Sequence, residues 1–159
     1  MMRESITLDQ VEKGQQLPPL EVDVSVTNVV LGALASRDWR PMHHDKDFAV
    51  ERNGTRHIFV NTPHNAAYFE RYITDWTGPK GRLGRIKFRM KDSVFPGDTM
   101  RFSGVVDAVR TDESGCGWAD VSLELRVGDK VTTQCTASVA LPTSSEDNPW
   151  KRRGDDWKP

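Results

Sequence analysis

The chain has 159 residues, 36% of them hydrophobic, and its 22 basic and 23 acidic side chains leave a formal net charge of −1. This length is typical of one domain, and the balanced charge excludes a general field that would attract nucleic acid or an anionic membrane. No segment approaches the roughly 20 apolar residues of a membrane-spanning helix, and the first residues lack the apolar core of a secretion signal. The two cysteines do not form a disulfide framework, so we expect a cytoplasmic protein.

The N-terminal third begins with a polar arm, residues 1–19, which leads through two prolines into Leu20–Val26. Apolar and polar residues alternate in Leu20–Val26, and this pattern predicts a half-buried strand. The apolar run Val29–Ala35 is of ambiguous type, and Thr27 or Asn28 is a suitable N-cap if it is a helix.

The next segment, Asp38–Asp47, is rich in polar and turn-forming residues, and we expect a loop that leads into a short helix. Ile58–Val60 is short and apolar. Its composition predicts a short buried strand.

The clearest helix signal covers about residues 63–77. Thr62 is the expected N-cap, and Pro63 occupies the first helical position, where its missing N–H is not needed. Gly78 and the proline after it end the helix. Its apolar side chains are Ala66, Tyr68, Phe69, Tyr72, Ile73 and Trp76.

The C-terminal half is strand-like. Alternating segments run over residues 85–90, 99–109, 118–127 and 131–141, and Gly128-Asp129 marks a hairpin between the last two. The order of elements predicts an α+β domain over residues 20–141, with helices on one face of an antiparallel sheet. A charged tail, residues 142–159, carries Trp150 and Trp157, which we expect to dock on this subunit or on a neighbour.

Candidate chemistry is concentrated in the loop before the long helix. Asp38 and His43 lie five positions apart, and a turn at Pro41 would bring them around one water molecule for general acid–base work. The spacing alone is equally compatible with Asp38 as a helix cap and His43 as a surface residue. His43, His44 and Asp45 are metal-ligand types, but adjacent residues rarely converge on one ion, so we expect no metal.

The same loop carries a family resemblance. Asp38, Pro41 and His43, followed by Asp45 and Phe48-Ala49, are similar to the hydratase motif of the MaoC-like, R-hydratase-type dehydratases. A second familiar segment is Val94–Thr99, and the resemblance covers roughly residues 20–140. It implies a single hot-dog fold, an antiparallel sheet wrapped around a central helix at about residues 63–77. It also implies an enoyl-CoA hydratase or 3-hydroxyacyl-CoA dehydratase with catalytic Asp38 and His43, and with no cofactor beyond the coenzyme A of the substrate.

A narrower likeness is to the small catalytic subunit of actinobacterial heteromeric enoyl-CoA hydratases that act on steroid side chains. This likeness implies that the chain pairs with a second MaoC-like subunit, two such folds side by side, and a homodimer is the other arrangement we expect. The segments that carry it are Ala35–Asp38, His43–Asp45, Ile58–Asn61 and Arg71–Pro79.

Two departures from the family pattern concern the site. Arg40 stands where the family has Asn, and Arg40 and His44 are candidates for loop support or for contact with CoA. The family's Gly at the start of the central helix is also replaced. We therefore assign polarisation of the thioester carbonyl to the Thr62 N–H, with a purely capping Thr62 as the alternative.

Two other functions fit the same fold. A hot-dog thioesterase would place its carboxylate on or near the central helix, where Glu70 and Asp75 lie. A non-catalytic partner subunit would only bind acyl-CoA, although the Asp38–His43 pair argues against it. The sequence leaves the acyl chain, the stereochemistry and the physiological direction open.

Overall fold

The computed structural model describes residues 4–159, whose elements follow the predicted order. None of the helices in this range is both long and apolar enough to cross a membrane. The helices are α1 (Val26–Ala35), α2 (Lys46–Glu51) and α3 (Thr62–Thr77), and the strands are β1 (Leu20–Asp23), β2 (Arg82–Met90), β3 (Thr99–Thr111), β4 (Gly117–Val127) and β5 (Lys130–Leu141). Short 3-10 turns form at Leu8–Gln10, Pro41–His43, Pro149–Lys151 and Gly154–Asp156.

The five strands form one antiparallel sheet in the order β1-β3-β4-β5-β2. The predicted hairpin between β4 and β5 is confirmed, because Val127 pairs with Lys130 across the turn. Gly128 has a φ of 57° there, a left-handed conformation that glycine adopts without a steric penalty. β2 follows α3 along the chain but pairs with β5 at one edge of the sheet.

The core lies between α3 and the sheet. Phe69 on α3 meets Phe102 on β3 edge-on, with ring centroids 5.2 Å apart, and Tyr72 approaches the same ring at 5.8 Å. All three side chains are buried. Burial of aromatic rings is a major source of stability, so this contact fixes the central helix against the sheet. The prediction of an antiparallel sheet around a central helix is confirmed.

The N-cap of α3 differs from the prediction by one residue. Asn61 is the N-cap, and its side-chain oxygen accepts a hydrogen bond from the His64 N–H, while the predicted cap, Thr62, is the first helical residue. Asparagine caps at least as well as threonine, and here its amide also has partners outside the helix. Gly78, with a φ of 75°, ends the helix as predicted.

The N-cap of α1 also differs. Ser25 caps the helix by accepting from the Asn28 N–H, and the Asn28 side chain accepts from the Ser25 N–H in return. Asn28, one of the two predicted caps, is therefore the third helical residue of a capping box. Since this helix begins at Val26, β1 ends at Asp23 and the predicted strand over Leu20–Val26 is too long.

The prediction of a strand at Ile58–Val60 is wrong. Ile58 and Val60 are buried, as an apolar segment requires, but no ladder forms. Within residues 4–159, its one backbone–backbone hydrogen bond runs from the Val60 N–H to the carbonyl of Val94, between β2 and β3, at 2.9 Å. The Phe59 carbonyl instead faces a side chain of the site described below.

Both terminal segments pack on the domain. In the arm, Val11 and Leu17 are buried, and the Leu17 N–H donates to the Gly104 carbonyl; residues 1–3 lie outside the described range. In the tail, Trp157 packs on Trp118 with ring centroids 5.2 Å apart, and the Arg82 guanidinium lies 3.5 Å from the Trp157 ring. The tail therefore docks on this subunit.

This docking predicts a specific loss of stability in Trp157→Ala. Removing a ring that contacts both Trp118 and Arg82 should lower the free energy of unfolding by about 1–3 kcal/mol, measured by urea denaturation. The control is Trp150→Ala, because Trp150 is 50% exposed and lies farther from Arg82, at 5.4 Å. Equal losses in the two variants would contradict this account of the tail.

Candidate active site

The chain reverses direction directly after α1. Arg37 has a φ of 53°, a left-handed conformation that is uncommon for a residue other than glycine. The next N–H, that of Asp38, donates back to the Ala33 carbonyl at 2.9 Å. The Ser36 hydroxyl donates to the Gly32 carbonyl at 2.8 Å, which closes the end of the helix. This turn directs Asp38 toward the start of α3.

The Asp38 carboxylate is 10% exposed and has three side-chain neighbours. Arg40 donates from Nε to Oδ1 at 2.8 Å and from Nη2 to Oδ2 at 2.9 Å. The Asn61 amide donates to Oδ2 at 3.0 Å, and His43 Nε2 lies 3.4 Å from the same oxygen. The Arg40 hydrogen bonds lower the pKa of Asp38 most, and Asn61 and His43 add to them, so the pKa lies far below its ordinary value although burial raises it. Asp38 is therefore ionised.

His43 is 3% exposed at the end of the 3-10 turn that begins at Pro41. Its Nδ1 lies 2.9 Å from the Phe59 carbonyl oxygen. Because a carbonyl oxygen only accepts, Nδ1 carries a proton in this contact. In the neutral tautomer with this proton, Nε2 has a lone pair and faces Asp38. Two acceptors then face each other across 3.4 Å. A water molecule that donates to both needs a free lone pair on each of the two atoms.

The structure therefore brings together the two side chains that the sequence singled out. His43 is buried, so it is not a surface residue, and the side chain that caps α2 is that of Asp45, which accepts from the Phe48 N–H. His44 lies exposed at the end of the 3-10 turn, where its backbone N–H donates to the Pro41 carbonyl.

Asn61 is a member of the site that the sequence analysis missed. It is 1% exposed, and its side-chain nitrogen donates to Ser36 Oγ at 2.8 Å and to Asp38 Oδ2 at 3.0 Å. Its oxygen accepts from the His64 N–H. The available signal was an N-cap type of residue placed directly after a buried apolar segment and before Thr62.

The first turn of α3 borders this cluster. Thr62 is exposed, and none of the residues 4–159 accepts a hydrogen bond from its N–H. An unpaired N–H at the start of a 16-residue helix favours negative charge. Neither Glu70 nor Asp75 contacts Asp38 or His43; Glu70 is exposed, and Asp75 pairs with Arg71 at 3.5 Å.

A groove of about 410 Å³ lies beside the site, between α1 and α3. Ser36 and Pro63 line its end nearest Asp38. The helices approach closely because α1 has Gly32 there: a Cβ at this position would stand 1.9 Å from His64 Nδ1. Burial lowers the pKa of His64. Other lining residues are Leu31, Ala35 and Ala67.

The segment around the groove also exposes large apolar side chains. Of the exposed large hydrophobic residues within residues 4–159, all except Trp150 lie between positions 26 and 50. They are Val26, Leu31, Leu34, Trp39 and Val50. Apolar side chains concentrated in this way are typical of a surface that another molecule covers.

Sequence comparison gives one family and a closely similar relative. The family described as "MaoC like domain" matches residues 9–124. The 3-oxo-4,17-pregnadiene-20-carboxyl-CoA hydratase beta subunit of Mycobacterium tuberculosis is 41% identical over 126 residues, which cover 79% of this chain and 95% of the relative.

Solved structures give the same fold. A chain of the ChsH1-ChsH2 complex from Mycobacterium tuberculosis superposes with a TM-score of 0.76 at 33% identity, over 82% of this chain and 98% of that one. The (R)-hydratase from A. caviae involved in PHA biosynthesis superposes with a TM-score of 0.72 at 24% identity, over 83% and 98%. These likenesses confirm the predicted hot-dog fold.

The lowered pKa of Asp38 makes the stability of the protein depend on pH. Because the folded pKa lies below the unfolded one, the unfolded chain binds more protons, and the stabilisation present above about pH 4 is lost as the pH falls toward the folded pKa. Asp38→Asn should therefore flatten the acid limb of the free energy of unfolding, measured by urea titration at stepped pH.

The control is Asp47→Asn, which alters an exposed carboxylate in the first turn of α2. It should keep the wild-type dependence on pH. Parallel acid limbs for wild type and Asp38→Asn would show that Asp38 is not held in its ionised form.

Proposed function

Because the chain belongs to the MaoC-like domain family, we propose that it is an enoyl-CoA hydratase, and in reverse a 3-hydroxyacyl-CoA dehydratase. The reaction adds water across the α,β double bond of an acyl thioester or removes it. The observation that carries the proposal is the approach of His43 Nε2 to Asp38 Oδ2 at 3.4 Å, a buried base facing an ionised carboxylate. The chemistry needs no cofactor beyond the coenzyme A of the substrate.

Hydration begins when a water molecule binds beside His43 Nε2 and Asp38 Oδ2. As the water oxygen attacks the β-carbon, His43 Nε2 accepts its proton, and the imidazolium that forms is stabilised by the negative charge of Asp38. The Phe59 carbonyl keeps the ring oriented, because it accepts the hydrogen bond from the His43 Nδ1–H throughout the reaction.

The second half of the reaction places a proton on the α-carbon. The proton passes from His43 to Asp38, and Asp38 delivers it, so that the pair ends with the protons it had at the start. The negative charge that develops on the thioester oxygen is stabilised by the Thr62 N–H, at the positive end of α3. Dehydration follows the same steps in reverse.

The groove between α1 and α3 is the proposed site for the acyl group. Apolar side chains make up half of its lining, and at about 410 Å³ it is large enough for a bulky acyl group. A steroid side-chain thioester is the substrate we favour, because the relative with 41% identity is a 3-oxo-4,17-pregnadiene-20-carboxyl-CoA hydratase subunit. We place the enzyme in the cytoplasm, which is consistent with its two free cysteines.

We further propose that the chain works with a second MaoC-like subunit. The relative is named a beta subunit, and the matching solved chain comes from the ChsH1-ChsH2 complex. Leu31 lines the groove and is exposed, as are Leu34 and Trp39 in the same segment, and these side chains fit a surface that the second subunit covers. The acyl group would then be enclosed between the two folds.

Replacing either reacting group should abolish most of the activity. Asp38→Asn and His43→Ala should each lower kcat for hydration of an enoyl-CoA by about 10²-fold or more, because each removes a step of the proton transfer. The measurement follows the loss of the enoyl thioester absorbance, with a second MaoC-like subunit co-expressed where the isolated chain is inactive.

Asp47→Asn is the matched control and should retain wild-type kcat, since Asp47 is exposed on α2. Unchanged hydration in Asp38→Asn or His43→Ala would refute the assignment. A thiol reagent added to the same reaction tests the thioesterase alternative, because only a thioesterase releases free CoA. Absence of turnover with every partner would favour a binding subunit.

The acyl groove gives a separate prediction. Ala67→Phe narrows the groove from α3, so kcat/KM for a bulky acyl-CoA should fall by about tenfold or more, while a four-carbon enoyl-CoA should be hydrated within about twofold of wild type. Thr74→Phe places the same ring about two turns farther along α3, outside the groove, and is the control. An equal fall for both substrates in Ala67→Phe would place the acyl group elsewhere.

A further inference from the structure

The carboxylate of Asp38 has no free lone pair on the oxygen that faces His43. A carboxylate oxygen has two lone pairs. On Oδ2, Arg40 Nη2 uses one at 2.9 Å and the Asn61 amide uses the other at 3.0 Å. Arg40 Nε occupies Oδ1 at 2.8 Å. The water that must donate to both Asp38 and His43 has no acceptor on Oδ2 until one of these donors leaves.

The two donors differ in how easily they leave. Asn61 is 1% exposed, and its amide also binds Ser36 and caps α3, so moving it would break three hydrogen bonds. Arg40 is 64% exposed. Within the described range, residues 4–159, its guanidinium has no hydrogen-bond acceptor other than Asp38. Arg40 is therefore the donor that is able to move.

A guanidinium leaves a carboxylate when a second anion offers it a comparable pair of hydrogen bonds. Phosphate oxygens do so, because they match the planar fork of arginine as well as a carboxylate does. The substrate class proposed above carries phosphate groups on its coenzyme A, at the end away from the reacting double bond. Arg40 is 64% exposed, so its guanidinium is free to swing away from Asp38 toward a phosphate group.

We propose that Arg40 is a substrate-displaced cover on Asp38. In the free protein its guanidinium occupies the carboxylate, and a phosphate of the bound acyl-CoA draws it away, which frees Oδ2 for the reacting water. Arg40 is thus a positioning residue that makes turnover depend on a phosphate-bearing substrate. This inference rests on the proposed hydratase function and adds a means of substrate selection to it.

The test compares two thioesters of the same enoyl acid. One is the CoA thioester, and the other is the N-acetylcysteamine thioester, which has the same reacting atoms and no phosphate. Wild type, Arg40→Gln and the control Arg101→Gln are assayed on both, in the assembly that is active. Arg101 is a matched control because it is 61% exposed and pairs with one carboxylate, that of Glu21, outside the site.

If Arg40 covers Asp38 in this way, Arg40→Gln should have opposite effects on the two thioesters. Arg40→Gln should hydrate the CoA thioester with kcat/KM about tenfold lower than wild type, because the phosphate contact is lost, and the phosphate-free thioester several-fold faster, about threefold or more, because nothing has to be displaced. Arg101→Gln should match wild type on both. Arg40→Asn, which also has a neutral carboxamide but a shorter side chain, should show the same opposite effects on the two thioesters.

Two results would overturn the proposal. A parallel fall on both thioesters would make Arg40 a fixed brace of the loop, and a fall on CoA alone with no gain on the phosphate-free thioester would make it a phosphate contact without a cover. If wild type hydrates neither thioester, the proposed function fails. Calorimetric titration with CoA then tests whether Arg40 contacts a phosphate. Binding about tenfold weaker in Arg40→Gln then supports the phosphate contact, and equal binding overturns it.

Discussion

The carboxamide of Asn61 is the interaction on which the arrangement of the site depends. It is buried, and both of its donors and its acceptor are used: Ser36 and Asp38 accept from the nitrogen, and the His64 N–H donates to the oxygen. The same side chain therefore fixes both the first turn of α3 and the position of the Asp38 carboxylate. A carboxylate at position 61 would face Asp38 as a like charge, and an apolar side chain would leave the buried donors and acceptors around it unpaired.

The segment before Asn61 explains how a buried imidazole is held beside an ionised acid. Ile58 and Val60 are buried as a strand residue would be, yet the Phe59 carbonyl is bound to His43 rather than to a neighbouring strand. The bond from the Val60 N–H to Val94 keeps this extended segment in place. The departure from regular structure thus supplies the acceptor that fixes which nitrogen of His43 faces Asp38. The overall charge of the chain is almost balanced, so the electrostatics of the site come from these local neighbours.

Much of this fold was predictable because its signals are local. Strand alternation, the Gly128 turn and the apolar face of α3 depend on residues that are near in sequence, and the structure has them where the sequence indicated. The N-cap of α3 was predicted one residue late, because Asn61 and Thr62 are both good caps and only a contact with Ser36, 25 residues away, separates them. The spacing of Asp38 and His43 in one loop allowed their approach, and the family resemblance favoured it over the alternative of a helix cap and a surface residue. Arg40 was a candidate for loop support, but the sequence did not indicate which carboxylate it pairs with, since that depends on the conformation of the loop, including the left-handed turn at Arg37.

The close approach of α1 to α3 has a consequence for how this sequence can change over evolutionary time. A Cβ at position 32 would stand 1.9 Å from His64 Nδ1, so a side chain enters there only if the imidazole moves. A smaller residue at position 64 would remove that obstacle. The two positions are therefore coupled. Alanine or serine at 32 is accommodated most easily after residue 64 has become smaller, which favours one order of substitution in the wall of the groove.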